Sequence, residues 1–422
     1  MELVIDRMGA AGDGVGRSPE DGLQLFVPNA LPGERVLVRA IGRRGDGLQG
    51  ELLDVLAASP ERVLPPCPNF GPCGGCTVQH WSDDPIAAWK QARLAEALSR
   101  AGAAGTVIGP VATSPPGSRR RADLAIRRTA DGVALGLHDR LEPSRVFDLG
   151  EVCLVLAPPL VALFGPLRAL MRRITGFRRE GSAVLNLLES GPDLLLRTDA
   201  ALSAGDRALL ADFGKAHGLP RIAWALNAGT PEIAAQSATV RHSLAGHPVI
   251  PPPGGFLQAT PEGEAAIVAA VMAGLPKKLT GRARILDLFA GIGTLSFPLA
   301  ARGRITAIEG GAAAVAALQA ASGQSRIAAE RRDLARRPMM AAELKDFAAV
   351  VLDPPFAGAA EQMGQLARST VPRIIYVSCN PSALGRDAKI LLQSGYRIVA
   401  AVPIDQFRWS AHLESVITFA RP

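Results

Sequence analysis

Between residues 284 and 377 short apolar runs alternate with helix-length stretches, and this constrains the fold more than any other feature. Strands are expected at 284–289, 304–308, 348–352 and 373–377, and helices at 261–273, 295–302, 311–321 and 382–393. Apolar strands separated by helices need crossover connections, which give a parallel sheet covered on both faces. Two further strands, about 396–402 and 415–419, close the chain. The last part is therefore expected to be α/β.

The rest of the chain has other patterns. Residues 1–58 place short apolar runs such as Leu23–Val27 and Arg35–Val38 around glycine turns such as Pro32-Gly33-Glu34. That spacing predicts a small OB-like β-barrel. The proline-rich segment Pro60–Pro72 marks a boundary. Residues 86–100 read as a helix with Ile86, Trp89, Leu94 and Leu98 inward, able to pack on the last domain. From about 117 strands and turns return, with one helical stretch near 158–173. Gly246–Gly255, with Pro248, Pro251, Pro252 and Pro253, reads as a linker. Three domains are expected: 1–58, a mixed, mostly β central domain at 59–250, and 251–422.

A chain of 422 residues is long enough for several domains, and 48% hydrophobic with 20% charged residues excludes disorder. The longest apolar run, Val152–Phe164, is broken by Pro158-Pro159 and is too short for a membrane span. Met1–Arg7 lacks a secretory pattern, so a cytoplasmic protein with no membrane partner is expected. No obligate protein partner is indicated, and a monomer is expected. The net charge of +7 fits a polyanionic partner. It is uneven: residues 1–60 hold 6 basic and 9 acidic side chains, residues 251–422 hold 19 and 13. Because 40 of 46 basic residues are arginine, a GC-rich genome can also account for the surplus.

The run Ile285-Leu286-Asp287-Leu288-Phe289-Ala290-Gly291-Ile292-Gly293-Thr294 opens a buried strand into a glycine loop. Gly291 and Gly293 allow a tight turn and close approach to a ligand. The spacing is not G-x-G-x-x-G, so a nucleoside with an amino-acid tail fits better than a dinucleotide. Glu309, ending the second strand, can accept both ribose hydroxyls. Asp333, between the second and third of these strands, can bond an adenine amine. These features resemble the class I (Rossmann-like) S-adenosylmethionine methyltransferase domain.

Asp353-Pro354-Pro355-Phe356 and Ser378-Cys379-Asn380-Pro381 stand at later strand ends, where open sheets place ligands. Cys379 precedes a helix start, which is expected to favour its thiolate. Glu414 lies just before the last strand. A thiol, a carboxylate and a methyl donor together solve one problem. Thiolate addition at C6 of a pyrimidine makes C5 nucleophilic, and a base then removes the C5 proton.

With Phe256-Leu257-Gln258 and His412-Leu413-Glu414 added, the chain resembles, over essentially its whole length, the RNA uracil-C5 methyltransferase family. The resemblance implies Cys379 as nucleophile and Glu414 as base. It implies that Gln258, Phe289, Gly291, Gly293, Thr294, Glu309, Asp333 and Asp353 line the pocket for S-adenosylmethionine and uracil. Gly12–Gly16 and Val27–Glu34 resemble the TRAM module, an RNA-binding barrel. Arg119, Arg120 and Arg121 resemble an arginine segment able to grip phosphates or stack on bases. Four positions depart from the family pattern: Phe356 for Arg, Thr260 for Asn, Ala290 for Cys and Thr294 for Asn. Thr260 can still cap the helix beginning at Pro261. Asp-Pro-Pro-aromatic resembles enzymes that methylate exocyclic amines.

Of five cysteines, Cys67, Cys73, Cys76 and Cys153 remain after Cys379. Four thiolates can hold zinc or an iron–sulfur cluster. In family members with this insertion the same spacing holds a [4Fe–4S] cluster, so the resemblance implies one here. A TRAM module together with four cysteines resembles the branch of the family acting on large-subunit ribosomal RNA, and that resemblance implies 23S rather than transfer RNA as substrate. The other readings are methylation of cytosine C5 or of an exocyclic amine, and an RNA-binding assembly factor with a degenerate site.

Overall fold

The computed structural model describes residues 1–140, 142–323 and 325–421. It is an α/β protein built from a barrel, a central seven-stranded sheet and a larger eight-stranded sheet.

Strands β1 (Glu2–Met8), β2 (Gly14–Arg17), β3 (Gln24–Val27), β4 (Arg35–Arg44) and β5 (Gly47–Ala57) close the barrel in the order β1-β2-β3-β5-β4. Alternate residues point inward, so Leu3, Ile5, Leu25, Val27, Val36 and Val38 form its core. Side chains tie the barrel to the central segment. Asp13 accepts bonds from Arg44 (2.6 Å) and Arg140 (2.7 Å). Buried Glu34 accepts from Leu31 N (2.8 Å), Ser59 N (3.2 Å) and Arg62. Gly12 has φ +82°, and a Cβ there would stand 2.7 Å from Thr77 Oγ1.

The central sheet has the order β13-β12-β11-β10-β7-β8-β9. Its strands are β7 (Arg121–Thr129), β8 (Gly132–His138), β9 (Val146–Asp148), β10 (Glu180–Leu188), β11 (Gly191–Thr198), β12 (Arg221–Leu226) and β13 (Glu232–Gln236). The helical stretch near 158–173 is two helices, α2 (Pro158–Val161) and α3 (Phe164–Arg173), and α4 (Ala204–Ala216) joins them on the sheet. A small hairpin, β14 (His242–Leu244) and β15 (His247–Val249), takes up the first part of the expected linker Gly246–Gly255, because residues 247–249 pair back onto 242–244.

Helix α1 (Asp83–Arg100) and the two-residue strand β6 (Ala112–Thr113) leave the central segment for the last domain. Leu94, Leu98 and Ala101 pack in that domain's core, and β6 pairs with β21 (Arg397–Asp405). Trp89, expected inward, is half-buried, while Lys90 is fully buried.

The large sheet has the order β18-β17-β16-β19-β20-β22-β21-β6. Strands β16 (Arg284–Leu288), β17 (Arg304–Glu309), β18 (Ile327–Arg331), β19 (Ala349–Leu352) and β20 (Arg373–Ser378) are parallel, and β22 (Glu414–Ala420) runs antiparallel to β20 and β21. Helices α5 (Pro261–Gly274), α6 (Ser296–Ala300), α7 (Ala312–Ser322), α8 (Ala341–Leu344), α9 (Ala360–Arg368) and α10 (Pro381–Gln393) connect or cover the strands. Every residue of β19 is buried, as a central strand covered on both faces requires. The reversed β22 brings its first residue to the edge where the parallel strands end. Among the described residues no helix is long and apolar enough to cross a membrane.

Candidate active site

Cys379 comes directly after the last residue of β20, and Glu414 begins β22. Ser378 pairs with Ser415 across these strands, so Cys379 and Glu414 are the next residues outward on neighbouring strands. Asp353 comes directly after β19, on the other side of β20.

A buried amide chain links the two carboxylates. Gln258 donates to Asp353 Oδ2 (2.9 Å). Gln406 Nε2 donates to Gln258 Oε1 (2.8 Å) and to Glu414 Oε2 (2.9 Å), while its Oε1 accepts from Ala259 N (2.9 Å). Glu414 Oε1 is buried with no hydrogen-bond partner among the described residues. Burial first, then the charge of Asp353, pushes the Glu414 carboxyl up to about 8. Burial also pushes Asp353 up, to about 6, against the Gln258 hydrogen bond.

The Cys379 thiol is pushed up to about 12, by burial first and then by Glu414 and Asp353. This corrects the expected thiolate. Cys379 lies outside the Asn380 cap of α10, whose side chain accepts from Ser382 N (3.0 Å). Helix-terminus effects fade within the first turn, whereas desolvation and two neighbouring carboxylates act directly on the sulfur.

The glycine loop is built as its sequence demands. Phe289 has φ +62°, Gly291 +56° and Gly293 +101°. A Cβ on Gly293 would stand 2.6 Å from Leu318 Cδ1. Glu309 receives Gly291 N (3.0 Å) and Gly311 N (2.6 Å) on its two oxygens. Half-buried Thr294 lies in the turn leading to α6. Asp333 accepts from Ala335 N (3.1 Å) and Arg336 N (3.3 Å) in the turn after β18. Asp287, fully buried in β16, accepts from Ser296 Oγ, and burial pushes it up to about 7. Thr260 caps α5 by accepting from Gly263 N (3.0 Å).

A cleft of about 270 Å³ opens beside Cys379. Its walls include Phe356, Arg93 and His412, with Ala11 from the barrel tip and Gly75 from the cysteine loop. Phe356 is 58% exposed and meets His412 edge-on at 6.3 Å. Three separate parts of the chain thus meet at the thiol.

Cys67, Cys73, Cys76 and Cys153 are all free thiols and line one cavity of about 400 Å³. Burial first, then the charges of the neighbouring cysteines, raises Cys73 and Cys76, the latter to about 12. Among the described residues no group of three or more His, Cys, Asp or Glu side chains is arranged to hold a single metal ion.

The three arginines diverge. Arg119 borders the cysteine cavity. Burial raises the Cys153 thiol there, and the Arg119 charge opposes that rise. Arg120 is buried, donating to Gln258 O (3.1 Å) and to Glu264, so its guanidinium is engaged within the fold. Arg121 lies over the Phe256 ring at 5.7 Å. Gln406, Lys90, Arg93 and His412 were not among the expected site residues. Gln406 stands only eight positions before Glu414, but its role depends on contacts that local pattern does not carry.

Comparison with known proteins gives the family and the fold. The family model described as tRNA (Uracil-5-)-methyltransferase matches residues 277–421. An "Uncharacterized RNA methyltransferase" of Caulobacter vibrioides is 39% identical over 100% of both chains. The 23S rRNA (uracil(1939)-C(5))-methyltransferase RlmD of Chromohalobacter salexigens is 36% identical over 99% of this chain and 89% of that protein. The crystal structure of Pyrococcus abyssi tRNA (uracil-54, C5)-methyltransferase in complex with S-adenosyl-L-homocysteine shares the fold. Its TM-score is 0.73 over 100% of both chains, at 22% identity.

Proposed function

The chain belongs to the RNA uracil-C5 methyltransferase family, S-adenosylmethionine-dependent enzymes, and we propose that it methylates a uridine of 23S ribosomal RNA with Cys379 as nucleophile and Glu414 as base. The single observation carrying the residue roles is the adjacency of Cys379 and Glu414 across β20 and β22, with Glu414 held by Gln406.

S-adenosylmethionine supplies an electrophilic methyl group on a sulfonium. Cys379 Sγ, once deprotonated, bonds to C6 of the uracil and leaves C5 electron-rich. When C5 carries both methyl and hydrogen, Glu414 takes the hydrogen as a proton. The C5–C6 double bond re-forms and the Sγ–C6 bond breaks, returning the thiolate. Gln258 and Gln406 orient the two carboxylates. The Phe289–Thr294 loop, Glu309, Asp333 and Asp353 are the groups in this reading that receive the methyl donor. Reaching C5 and C6 requires the base to leave its stack, and a cleft of about 270 Å³ beside Cys379 suits one extruded pyrimidine.

The ribosomal substrate is supported by relatives named for 23S uracil-C5 methylation, at 36% and 35% identity over nearly the whole chain. In this reading the barrel grips RNA, and Arg121 with exposed Phe256 offers cation and ring to it. In this reading the four cysteines are the ligands of a [4Fe–4S] cluster. They are unpaired, converge on one cavity, and have the Arg119 charge beside them to offset an anionic cluster. Cys67, Cys73, Cys76 and Cys153 would hold it, tying residues 67–76 to the segment at 153. The test is single-turnover reaction of unmodified 23S transcript with wild-type protein and with Cys379→Ala. The proposal requires 5-methyluridine from the first and none from the second. Equal product from both would refute the nucleophile.

A further inference from the structure

Between β21 and β22, residues 406–413 have no regular structure, yet they carry Gln406 and lead into Glu414. One face of α1 holds this segment. Asp83, Lys90 and Arg93, at i, i+7 and i+10, lie on the same side of the helix. Asp83 pairs with Arg408, and Arg93 donates to Ala411 O. Lys90, with no exposed surface, places its ammonium 2.6 Å from Asp405 Oδ1 and donates to Phe407 O (3.2 Å). The same Asp405 oxygen accepts Phe407 N (3.1 Å). Lys90 therefore grips the residues on both sides of Gln406.

Gln406 has no slack. Its amide contacts Ala259, Gln258 and Glu414 at once, all within 2.9 Å. A buried lysine is a poor source of stability, because its desolvation offsets the pairing, but it fixes geometry sharply. We propose that Lys90 is a positioning residue for C5 deprotonation: its ion pair with Asp405 and bond to Phe407 O set Gln406, and Gln406 sets Glu414. This rests on the roles proposed for Cys379 and Glu414. It gives a helix outside the parallel sheet control over the last chemical step. Arg93 adds a second link, since it also borders the cleft beside Cys379.

The consequence is specific. A misplaced base leaves attack and methylation intact but slows elimination, so the covalent Cys379–RNA adduct accumulates. The experiment uses full-length protein, unmodified 23S transcript and S-adenosylmethionine. It compares wild type, Lys90→Met, the charge-balanced Lys90→Met/Asp405→Asn and Glu414→Gln. Adduct is read on denaturing gels and 5-methyluridine by mass spectrometry. The expected result for both Lys90 variants is adduct above the wild-type level. Their kcat should fall by about 10–100-fold, as for a small displacement of a catalytic group, with KM for RNA little changed. Should Lys90→Met fail to fold, the balanced variant decides. A folded variant with wild-type kcat and adduct, or one that loses kcat without adduct, overturns the proposal. If Glu414→Gln itself forms no adduct, the base assignment fails instead. If wild type makes no 5-methyluridine, the substrate reading fails.

Discussion

Cys379 and Glu414 are next-door residues on antiparallel neighbours, one just past the end of β20 and the other at the start of β22. The reversal of β22 achieves this. A parallel strand there would begin at the opposite edge of the sheet and carry its first residue away from the thiol. Burial keeps both groups from ionising readily, and the neighbouring carboxylates add to it: Asp353 acts on Glu414, and Glu414 with Asp353 acts on the thiol.

Glu414→Gln should separate catalysis from stability. Glu414 takes up its proton at about 8 in the folded protein and at 4.5 in the reference state, so the native state binds protons more tightly. Stability at this site is therefore full below about pH 4.5 and is lost as pH rises towards 8. The amide carries no such penalty. Thermal melts should show Glu414→Gln more stable than wild type at pH 8, with the gap shrinking at pH 5. Turnover should fall by about 10²–10⁴-fold. An unchanged melting difference across this range would contradict the burial of an ionisable Glu414.

Turnover itself should climb with pH. Both the thiol and the carboxylate must lose protons, and both are held above their usual ranges. Initial rates of 5-methyluridine formation are expected to rise from pH 6 to 9. A flat profile under conditions where chemistry limits the rate would remove both shifts from the account.

Gln406→Leu should strip Glu414 and Gln258 of a buried donor and leave Ala259 N without its acceptor. Unpaired buried groups cost about 1–3 kcal/mol. The lost hydrogen bond also held the Glu414 carboxyl down, so the rising limb of the rate profile should move to higher pH. Chemical denaturation and the rate profile check the two effects separately.

Gly293→Ala places a side chain at φ +101° and within 2.6 Å of Leu318. Strain of this kind costs about 1–3 kcal/mol. Calorimetric titration with S-adenosylhomocysteine should show weakened binding, because an alanine at φ +101° strains the loop backbone. Binding unchanged from wild type would place the donor elsewhere.

Cys73→Ser tests the cluster. Anaerobically purified wild type should contain about four irons and absorb visible light, and the variant should lose both. A variant retaining full iron would sink the assignment, and stoichiometric zinc in the wild type would replace iron as its occupant.

Much of this was legible in the chain because the relevant signals are local. The β16–glycine loop–α6 unit announces itself through an apolar run and two glycines, and the parallel strands through alternation with helices. Cys379 and Glu414 sit at ends of such runs. The features that stayed hidden are long-range. Lys90 bonds to a residue 317 positions away, and Gln406 to one 148 away. On a helix surface pattern Lys90 reads as solvated. The two-residue β6 has no signal of its own, and it is a strand only because β21 is beside it. Arg120 reads as part of a charge run, but Glu264 and the Gln258 carbonyl turn it inward.

The most direct test of the central claim is nucleoside mass spectrometry on separated 23S, 16S and transfer RNA. The RNA should come from a strain lacking this protein, complemented with wild type or Cys379→Ala. The account predicts that 5-methyluridine is missing from 23S RNA and that only wild type restores it. Unchanged 5-methyluridine in all three fractions, with loss of a different methylated base, would contradict it and point to Phe356 as the residue that sets the substrate.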